Sequence, residues 1–157
     1  MSVDWLERGR ALPGVHVHWE VAPGLPALDT DVQKLGIVLE NLVGNAVKFT
    51  QRGTIRIRVD YDRAGDRHVF RVTDTGPGIP AKTLANVWEP FQRTAAGTED
   101  GPPGAGIGLA ITKRYVDLLG GAIRARSQVG RGTQIEVALP RRAPAGAAAA
   151  PCASVAA

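Results

Sequence analysis

The chain has 157 residues, a length that suits one domain built around a single hydrophobic core. With 44% hydrophobic and 22% charged residues, no apolar run that could span a bilayer and no signal-peptide core, we expect a cytoplasmic protein that is not membrane-inserted. The net charge of +4 permits nucleic-acid binding, but the arginines are spread thinly and alternate with apolar residues. We therefore place the arginines on the solvent-facing side of a sheet and expect no nucleic-acid partner.

Residues 1–14 show little pattern and are interpreted as an N-terminal segment or linker. Val15 to Val21 alternates valine with polar residues, which predicts a strand with His16 and His18 on one side. Two histidines at this spacing could bind a metal, but no third ligand of suitable spacing follows. We therefore expect both histidines to face solvent.

The next element is a long amphipathic helix that begins near Asp31 and runs to about Thr50. Its apolar residues recur at intervals of three and four and form one stripe: Val32, Leu35, Leu39, Leu42, Val43 and Ala46. Asn41, Asn45 and Lys48 share a second, polar face. Carboxamide oxygens suit a hard cation and an ammonium group suits phosphate, so this face is either a ligand site or an ordinary exposed surface.

Two strands follow, over Thr54 to Asp60 and His68 to Asp74, joined by a hairpin loop. The alternation places Asp74 at the end of the second strand and on its core side. An unpaired charge is costly there, so this carboxylate should bond to a partner. The sequence Asp-Thr-Gly-Pro-Gly-Ile-Pro, residues 74–80, then supplies two glycines that let the backbone turn sharply and let a ligand approach.

A short helix is predicted from Ala81 to Asn86, followed by two large aromatic residues around a proline in Trp88-Glu-Pro-Phe91. Residues 92–104 hold almost nothing to bury. A loop of that length in a compact domain is usually functional.

The glycine-rich segment from Gly104 to Leu109 opens a second helix that ends near Leu119. It is not a Walker A loop, because no Lys-Ser or Lys-Thr follows the glycines. A dinucleotide fingerprint also fails, since Leu109 occupies the place of the third glycine. The segment nevertheless runs straight into a helix, whose free amides and positive end suit phosphate oxygens.

Strands over residues 122–127 and 132–139 complete the pattern, joined by a hairpin. We therefore expect one domain over residues 15–140. Residues 141–157 are rich in alanine and proline and should form a disordered tail.

The segment Asp74-Thr-Gly76 also matches the short signature of the aspartic proteases. Such an enzyme needs two aspartates that share a proton, so a single copy would require a homodimer in a mostly β fold. The two long helices and the continuation Pro-Gly-Ile argue against this class.

Five segments, in this order, resemble the motif boxes of the sensor histidine kinases. Asn41 to Thr50 resembles the N box, Asp74 to Ile79 the first glycine box, Trp88 to Phe91 the F box, Gly104 to Leu109 the second glycine box and Gly130 to Thr133 the last one. Each motif alone is weak, but the combination is highly specific. By this resemblance the chain is identified as the catalytic ATP-binding domain of a two-component histidine kinase, in the GHKL superfamily.

The resemblance implies a fold and a set of contacts to the base of ATP. The family fold is an α/β two-layer sandwich of the Bergerat type, a mixed sheet with helices on one face. Asp74 would accept a hydrogen bond from the exocyclic amine of adenine, and Thr133 would assist at that end, often through water. Gly76 and Gly78 would leave room for the base, with Ile79 packing near it.

The same resemblance implies the contacts at the phosphate end. Asn45 would bind Mg²⁺ and Lys48 the phosphates, with Asn41 beside them, and Arg93 would reach the terminal phosphate. Residues 92–104 would be the ATP lid. The segment that meets the phosphates would comprise Gly104, Gly106, Ile107, Gly108 and Leu109.

Relatives that hydrolyse ATP have a glutamate base one turn before the metal-binding asparagine, where this chain has Asn41. An amide cannot take a proton from water at neutral pH. Glu40 is adjacent, but one residue along a helix rotates it by about 100°, away from the nucleotide. We therefore predict slow ATP hydrolysis and transfer of the phosphoryl group to another nucleophile.

In the family, the acceptor histidine lies on a separate dimerisation helix pair, and no histidine of this chain is in that context. The chain should therefore be a protein-histidine kinase domain that does not phosphorylate itself. Its partners would be a histidine-bearing dimerisation domain, in cis or in trans, and a downstream response regulator. A nucleotide-dependent binding module and a serine kinase of the anti-sigma type stay open as alternatives, although the F box and the Ala-Ile-Thr-Lys-Arg continuation after Leu109 favour a sensor kinase.

Overall fold

The computed structural model describes residues 13–90 and 107–143. These residues form a five-stranded mixed sheet with helices packed on one face, which confirms the predicted α/β two-layer architecture. The elements in chain order are β1 (Val15–Val21), α1 (Val32–Phe49), β2 (Gly53–Asp62), β3 (Arg67–Asp74), α2 (Ala81–Leu84), α3 (Gly108–Leu118), β4 (Ala122–Gln128) and β5 (Gly132–Pro140).

The strands lie in the order β1-β2-β3-β5-β4, with β1 parallel to β2 and every other pair antiparallel. A parallel pair needs a long crossover connection, and α1 provides it. The order makes β3 the central strand. Its last residue, Asp74, pairs with Ile55 on one side and Thr133 on the other.

The core lies between the sheet and the helices α1 and α3. On α1 the buried residues are those at helical spacing, namely Val38, Leu42, Val43 and Ala46. On β2, Ile55 and Ile57 are fully buried while Arg56 and Arg58 point to the other face and are exposed, as predicted. That outer face is polar, so the arginines there do face solvent.

The start of α1 is fixed by a side-chain cap. Asp31 Oδ1 accepts hydrogen bonds from the backbone N–H groups of Gln33 and Lys34, at 3.0 Å each. These bonds satisfy two of the donors that the first turn of a helix leaves without partners. The predicted start of the helix near Asp31 is confirmed.

The described backbone continues to residue 143, past the predicted domain end at residue 140. Arg141 donates to the carbonyl of Asp66, and Ala143 donates to that of Asp29, at 2.9 Å in both cases. The second of these bonds joins the segment after β5 to the loop that precedes α1, and the domain boundary at residue 140 stays a prediction. Residues 1–12 and 144–157, most of the predicted linker and tail, lie outside the described residues.

His16 and His18 are exposed on β1, as expected for strand residues that face solvent. Within residues 13–90 and 107–143, no helix combines the length and the apolar character that crossing a bilayer requires.

Candidate functional site

A cleft lies between α1, the turn after β3 and the start of α3. The space in the cleft and at its open mouth amounts to about 590 Å³. Most of its lining is apolar: Leu42, Ala46, Phe49, Val72, Pro77, Ile79, Leu109 and Ile135. Its polar side chains are Asn45, Asp74 and Thr133. An apolar slot with a few polar groups suits a flat aromatic ring that must be held in one orientation.

Among the described residues that line the cleft, Asp74 is the acidic one, and its two oxygens differ in their surroundings. Oδ1 accepts hydrogen bonds from the backbone N–H of Gly76 at 2.9 Å and of Thr133 at 3.2 Å. Within the described residues no protein group donates to Oδ2, which leaves that oxygen available to a ligand. Burial raises the pKa of Asp74 above its ordinary value, and the two backbone hydrogen bonds offset part of that increase.

The turn after Asp74 is locked against the β4–β5 hairpin. Gly78 has φ +74°, and a Cβ there would lie 2.2 Å from the carbonyl oxygen of Gln128. The N–H of Gly130, in the hairpin, donates to Pro77 O at 2.8 Å. Only glycine permits this approach, so the predicted need for glycine at position 78 has a definite structural cause.

Ser127 also holds this turn, and the sequence analysis missed it. Its Oγ accepts a hydrogen bond from Ile79 N at 2.7 Å, donates to Gly132 O at 2.9 Å and lies 2.9 Å from Thr133 Oγ1. One hydroxyl therefore ties three segments of the site together. Its position opposite Thr133 in the β4–β5 register was the available signal, and it required knowledge of the pairing.

The other end of the cleft is built where α1 meets the first residue of α3. A Cβ placed on Gly108 would lie 3.7 Å from Asn41 Oδ1 and 3.8 Å from Asn45 Nδ2, so both amide tips converge on the start of α3. Ile107, the N-cap residue, gives no side-chain hydrogen bond to the helix. Among the described residues, no N-cap side chain bonds to the N-terminal amides of α3, and two carboxamides lie beside them. This arrangement suits an anion with its cation.

Lys48, the third residue of the predicted polar face, contacts Phe49, a residue that lines the cleft. Its Nζ is 5.2 Å from the centroid of the Phe49 ring, and that ring lines the cleft. The ammonium group thus makes a cation–π contact with a ring of the cleft lining.

The structure brings most of the predicted site residues to one cleft. Its lining includes Asn45, Asp74, Gly78, Ile79, Leu109 and Thr133. Gly76 lies behind Asp74, while Asn41 and Gly108 meet at the other end next to Ile107. Arg93, Gly104 and Gly106 lie outside the described residues, as does the predicted lid. The role assigned to each residue stays a prediction.

Comparison with known families decides the classification. A sequence model of the family described as histidine kinase-, DNA gyrase B- and HSP90-like ATPase matches residues 30–143. The chain belongs to this family. The family that the motifs predicted is therefore confirmed. The match begins just before α1 and ends at the last described residue. All residues that line the candidate cleft therefore lie inside the matched region.

Relatives of this ATPase-family domain are sensor kinases. It is 39% identical over 121 residues to the sensor histidine kinase RcsC of Escherichia coli K12, a match that covers 76% of this chain and 12% of RcsC. It is 42% identical over 113 residues to the circadian input-output histidine kinase CikA of Synechococcus elongatus, covering 71% of this chain and 15% of CikA. The chain thus spans a small part of these much longer relatives.

Solved structures confirm the predicted fold. The mycobacterial sensor histidine kinase MprB superposes with a TM-score of 0.75 at 31% identity, over 90% of this chain and 93% of that one. Full-length ShkA, solved in complex with AMPPNP, gives a TM-score of 0.74 at 33% identity over 90% of this chain and 28% of ShkA. The fold of this ATPase-family domain is that of histidine kinase catalytic domains.

Proposed function

We propose that this domain binds Mg-ATP in the cleft and donates the γ-phosphoryl group to a histidine on a separate dimerisation domain. It would thus act as the catalytic part of a two-component signalling kinase, whose phosphohistidine is consumed by a response regulator. The observation that carries the proposal is one apolar cleft with Asp74 at one end and the Asn41–Asn45 pair, facing the start of α3, at the other. The sensor kinases among its relatives support this choice over other ATPases of the family.

At the base end of the cleft, Asp74 recognises the purine. Two backbone N–H groups hold Oδ1, so Oδ2 is oriented to accept a hydrogen bond from the exocyclic amine of adenine. Guanine carries a carbonyl oxygen at the corresponding position, and two acceptors would face each other there. The apolar walls of the cleft bury the ring. Thr133, hydrogen-bonded to Ser127, supplies a second polar group at this end.

At the phosphate end, Asn45 is the candidate ligand of Mg²⁺. The donor set fits this ion, because neutral carboxamide oxygens suit a hard cation and Mg²⁺ is usually completed by phosphates and waters. Within the described residues no group of three or more His, Cys, Asp or Glu side chains could hold a metal by itself, which agrees with a cation that arrives with its nucleotide. When bound, Mg²⁺ would neutralise negative charge on the phosphate oxygens. Lys48 and the amides of α3 would add positive charge around the phosphates, and Arg93 is proposed to reach the terminal phosphate.

The residue at position 41 favours transfer of the γ-phosphoryl group over hydrolysis of ATP. Asn41 cannot accept a proton from water, so the cleft has no base at the place where ATP-hydrolysing relatives have one. The phosphoryl acceptor would instead be a neutral imidazole nitrogen, which forms a P–N bond as the bond between the γ-phosphorus and the bridging oxygen breaks. The bonding electrons leave with ADP. Among the described residues, no histidine lines the cleft, so the acceptor histidine would come from another domain. The reaction would take place in the cytoplasm, where ATP is available.

The test mixes the domain with γ-labelled ATP and separately made dimerisation domains, that of RcsC among them. We expect acid-labile label on the dimerisation domain, as phosphohistidine requires, and little release of free phosphate in its absence. Asp74→Asn serves as the control that removes adenine recognition. It should weaken ATP binding by about ten- to a hundredfold, the usual loss for a charge-assisted hydrogen bond.

Other outcomes would contradict the transfer function. Tight nucleotide binding without label on any dimerisation domain would favour the nucleotide-dependent binding module. Acid-stable label on a serine would favour a serine kinase. If Asp74→Asn bound ATP with wild-type affinity, Asp74 would not be the residue that recognises adenine.

A further inference from the structure

The end of α1 holds a buried hydroxyl that makes no hydrogen bond. Thr50 is the C-cap of α1 and is 2% exposed, and its backbone N–H donates to Ala46 O at 3.0 Å. Its Oγ1 is buried and has no partner among the described residues. Buried polar atoms are nearly always paired, so this hydroxyl requires a physical explanation.

The surroundings of the hydroxyl point to the base end of the cleft. The position that a Cβ would take on Gly76 is 3.0 Å from Asp74 Oδ1, 3.2 Å from Phe49 O and 3.3 Å from Thr50 Oγ1. Three oxygens therefore surround one point beside the turn that follows Asp74. Phe49 and Asp74 are among the residues that line the cleft, and Thr50 is not. The hydroxyl therefore lies near the Asp74 carboxylate without lining the cleft itself.

We propose that Thr50 is a positioning residue for Asp74, whose hydroxyl becomes hydrogen-bonded when a purine nucleotide occupies the cleft. This inference rests on the proposed nucleotide-binding function. Asp74 Oδ1 already accepts two backbone N–H groups, and neither comes from α1. The Thr50 hydroxyl is the polar side-chain group that the end of α1 offers to this carboxylate, directly after a small rotation or through one water.

An unpaired buried hydroxyl is unfavourable in the free domain, and this sets the proposal apart from a purely structural role. If Thr50 served only packing, replacing its hydroxyl with a methyl group of the same shape would stabilise the fold and change nothing else. If its hydroxyl is satisfied on binding, the same replacement removes a favourable contact from the complex alone. Stability and ligand affinity then change in opposite directions.

The experiment compares Thr50→Val, which keeps the shape and lacks the hydroxyl, with Thr50→Ser, which keeps the hydroxyl. Affinities for ADP and GDP are measured by titration calorimetry with the full chain, and stability by urea unfolding on the same samples. We expect Thr50→Val to be at least as stable as the wild type and to bind ADP about three- to tenfold more weakly. Its preference for ADP over GDP should fall by a similar factor, while Thr50→Ser stays within about twofold of the wild type in both quantities.

Wild-type ADP affinity and base preference in Thr50→Val would overturn the proposal. Equal losses in Thr50→Val and Thr50→Ser would also overturn it, because they would assign the effect to the lost packing. Should Thr50→Val fail to fold, Thr50→Cys, whose thiol is only a weak donor, takes its place under the same criteria. Asp74→Asn distinguishes a failure of this inference from a failure of the proposed function. If Asp74→Asn loses ADP binding and Thr50→Val does not, only the role of Thr50 is refuted. If Asp74→Asn binds ADP normally, the proposed function is refuted.

Discussion

Replacing Gly108 with alanine should stabilise the fold while weakening the binding of magnesium nucleotide. Gly108 is the first residue of α3, and its φ lies outside the left-handed region, so alanine can adopt its backbone conformation. The new Cβ would lie 3.7 Å from Asn41 Oδ1 and 3.8 Å from Asn45 Nδ2, which are ordinary contact distances. The free domain should therefore accept the methyl group without strain.

The gain in stability can be compared with that of a second glycine. Alanine is favoured over glycine in a helix by about 0.5–1 kcal/mol, because glycine loses more backbone entropy on folding. Gly36→Ala is the matched control, since it lies within α1 and has nothing within 4 Å of the Cβ position. A gain of this size should raise the Tm by about 2–4 °C in either variant, somewhat less for Gly108 because it is at a helix end.

Binding should separate the two variants. The methyl group of Gly108→Ala fills the space where the two amide tips meet the amides of α3, which the proposed function reserves for phosphates and their cation. We expect ADP in the presence of Mg²⁺ to bind about tenfold more weakly, a loss of about 1.4 kcal/mol, as measured by titration calorimetry. Adenosine, which has no phosphates, should bind Gly108→Ala as it binds the wild type, and Gly36→Ala should bind both ligands normally.

The reasoning fails if Gly108→Ala is stabilised but binds Mg-ADP with wild-type affinity, since the phosphates would then lie elsewhere. An equal loss for adenosine would also refute it, because the methyl group would then act on the base end or on the whole cleft.

Two further substitutions and one titration test the packing around the site. Gly132→Ala should destabilise the domain by more than about 3 kcal/mol in urea unfolding, because φ is +108° and the Cβ would lie 2.0 Å from Asp74 O. Gly130→Ala, with φ +76° but nothing within 4 Å, should cost only about 1–2 kcal/mol, and equal costs would show that contact with Asp74 is not the cause. Burial lowers the pKa of His68 below its ordinary value of 6.5, so the stability it contributes is present above that pH and is lost as the pH falls below it. The wild type should therefore lose more unfolding free energy than His68→Gln between about pH 7.5 and about pH 5.5, whereas His16→Gln, at an exposed position, should follow the wild type.

The parts of the structure that were predictable from the sequence are those governed by local periodicity. The spacing of Asn41, Asn45 and Lys48 places them on one face of α1, because the helical repeat is a property of the backbone itself. The alternation around Ile55 and Arg56 likewise assigns the inner and outer faces of β2 correctly. The motif order then gave the family, and the comparisons confirm it.

The rest depends on contacts between segments far apart in the chain. The hydrogen bond of Ser127 to the glycine turn exists only because β4 lies beside β5, a strand order that no local pattern specifies. The pairing of residues 141–143 with Asp29 has the same origin, and alanine-rich composition concealed it. Gly132 was included in a motif, but its close approach to Asp74 O depends on how β5 lies against the end of β3. The unpaired hydroxyl of Thr50 emerged only once burial and hydrogen bonds were both known.

The strand order also has a consequence for how the domain should release its ligand. Asp74 ends the middle strand, which has hydrogen-bonded neighbours on both sides, whereas the candidate phosphate contacts of the glycine-rich segment lie at the start of α3. Local opening events are easiest at helix termini and hardest in central strands. Amide hydrogen exchange should therefore be slowest in β3 and fast at the start of α3, and ADP should detach from its diphosphate end first while the adenine ring stays docked. A signal that strains α3 would in this way change the contacts to the phosphates while the nucleotide stays bound through its adenine ring.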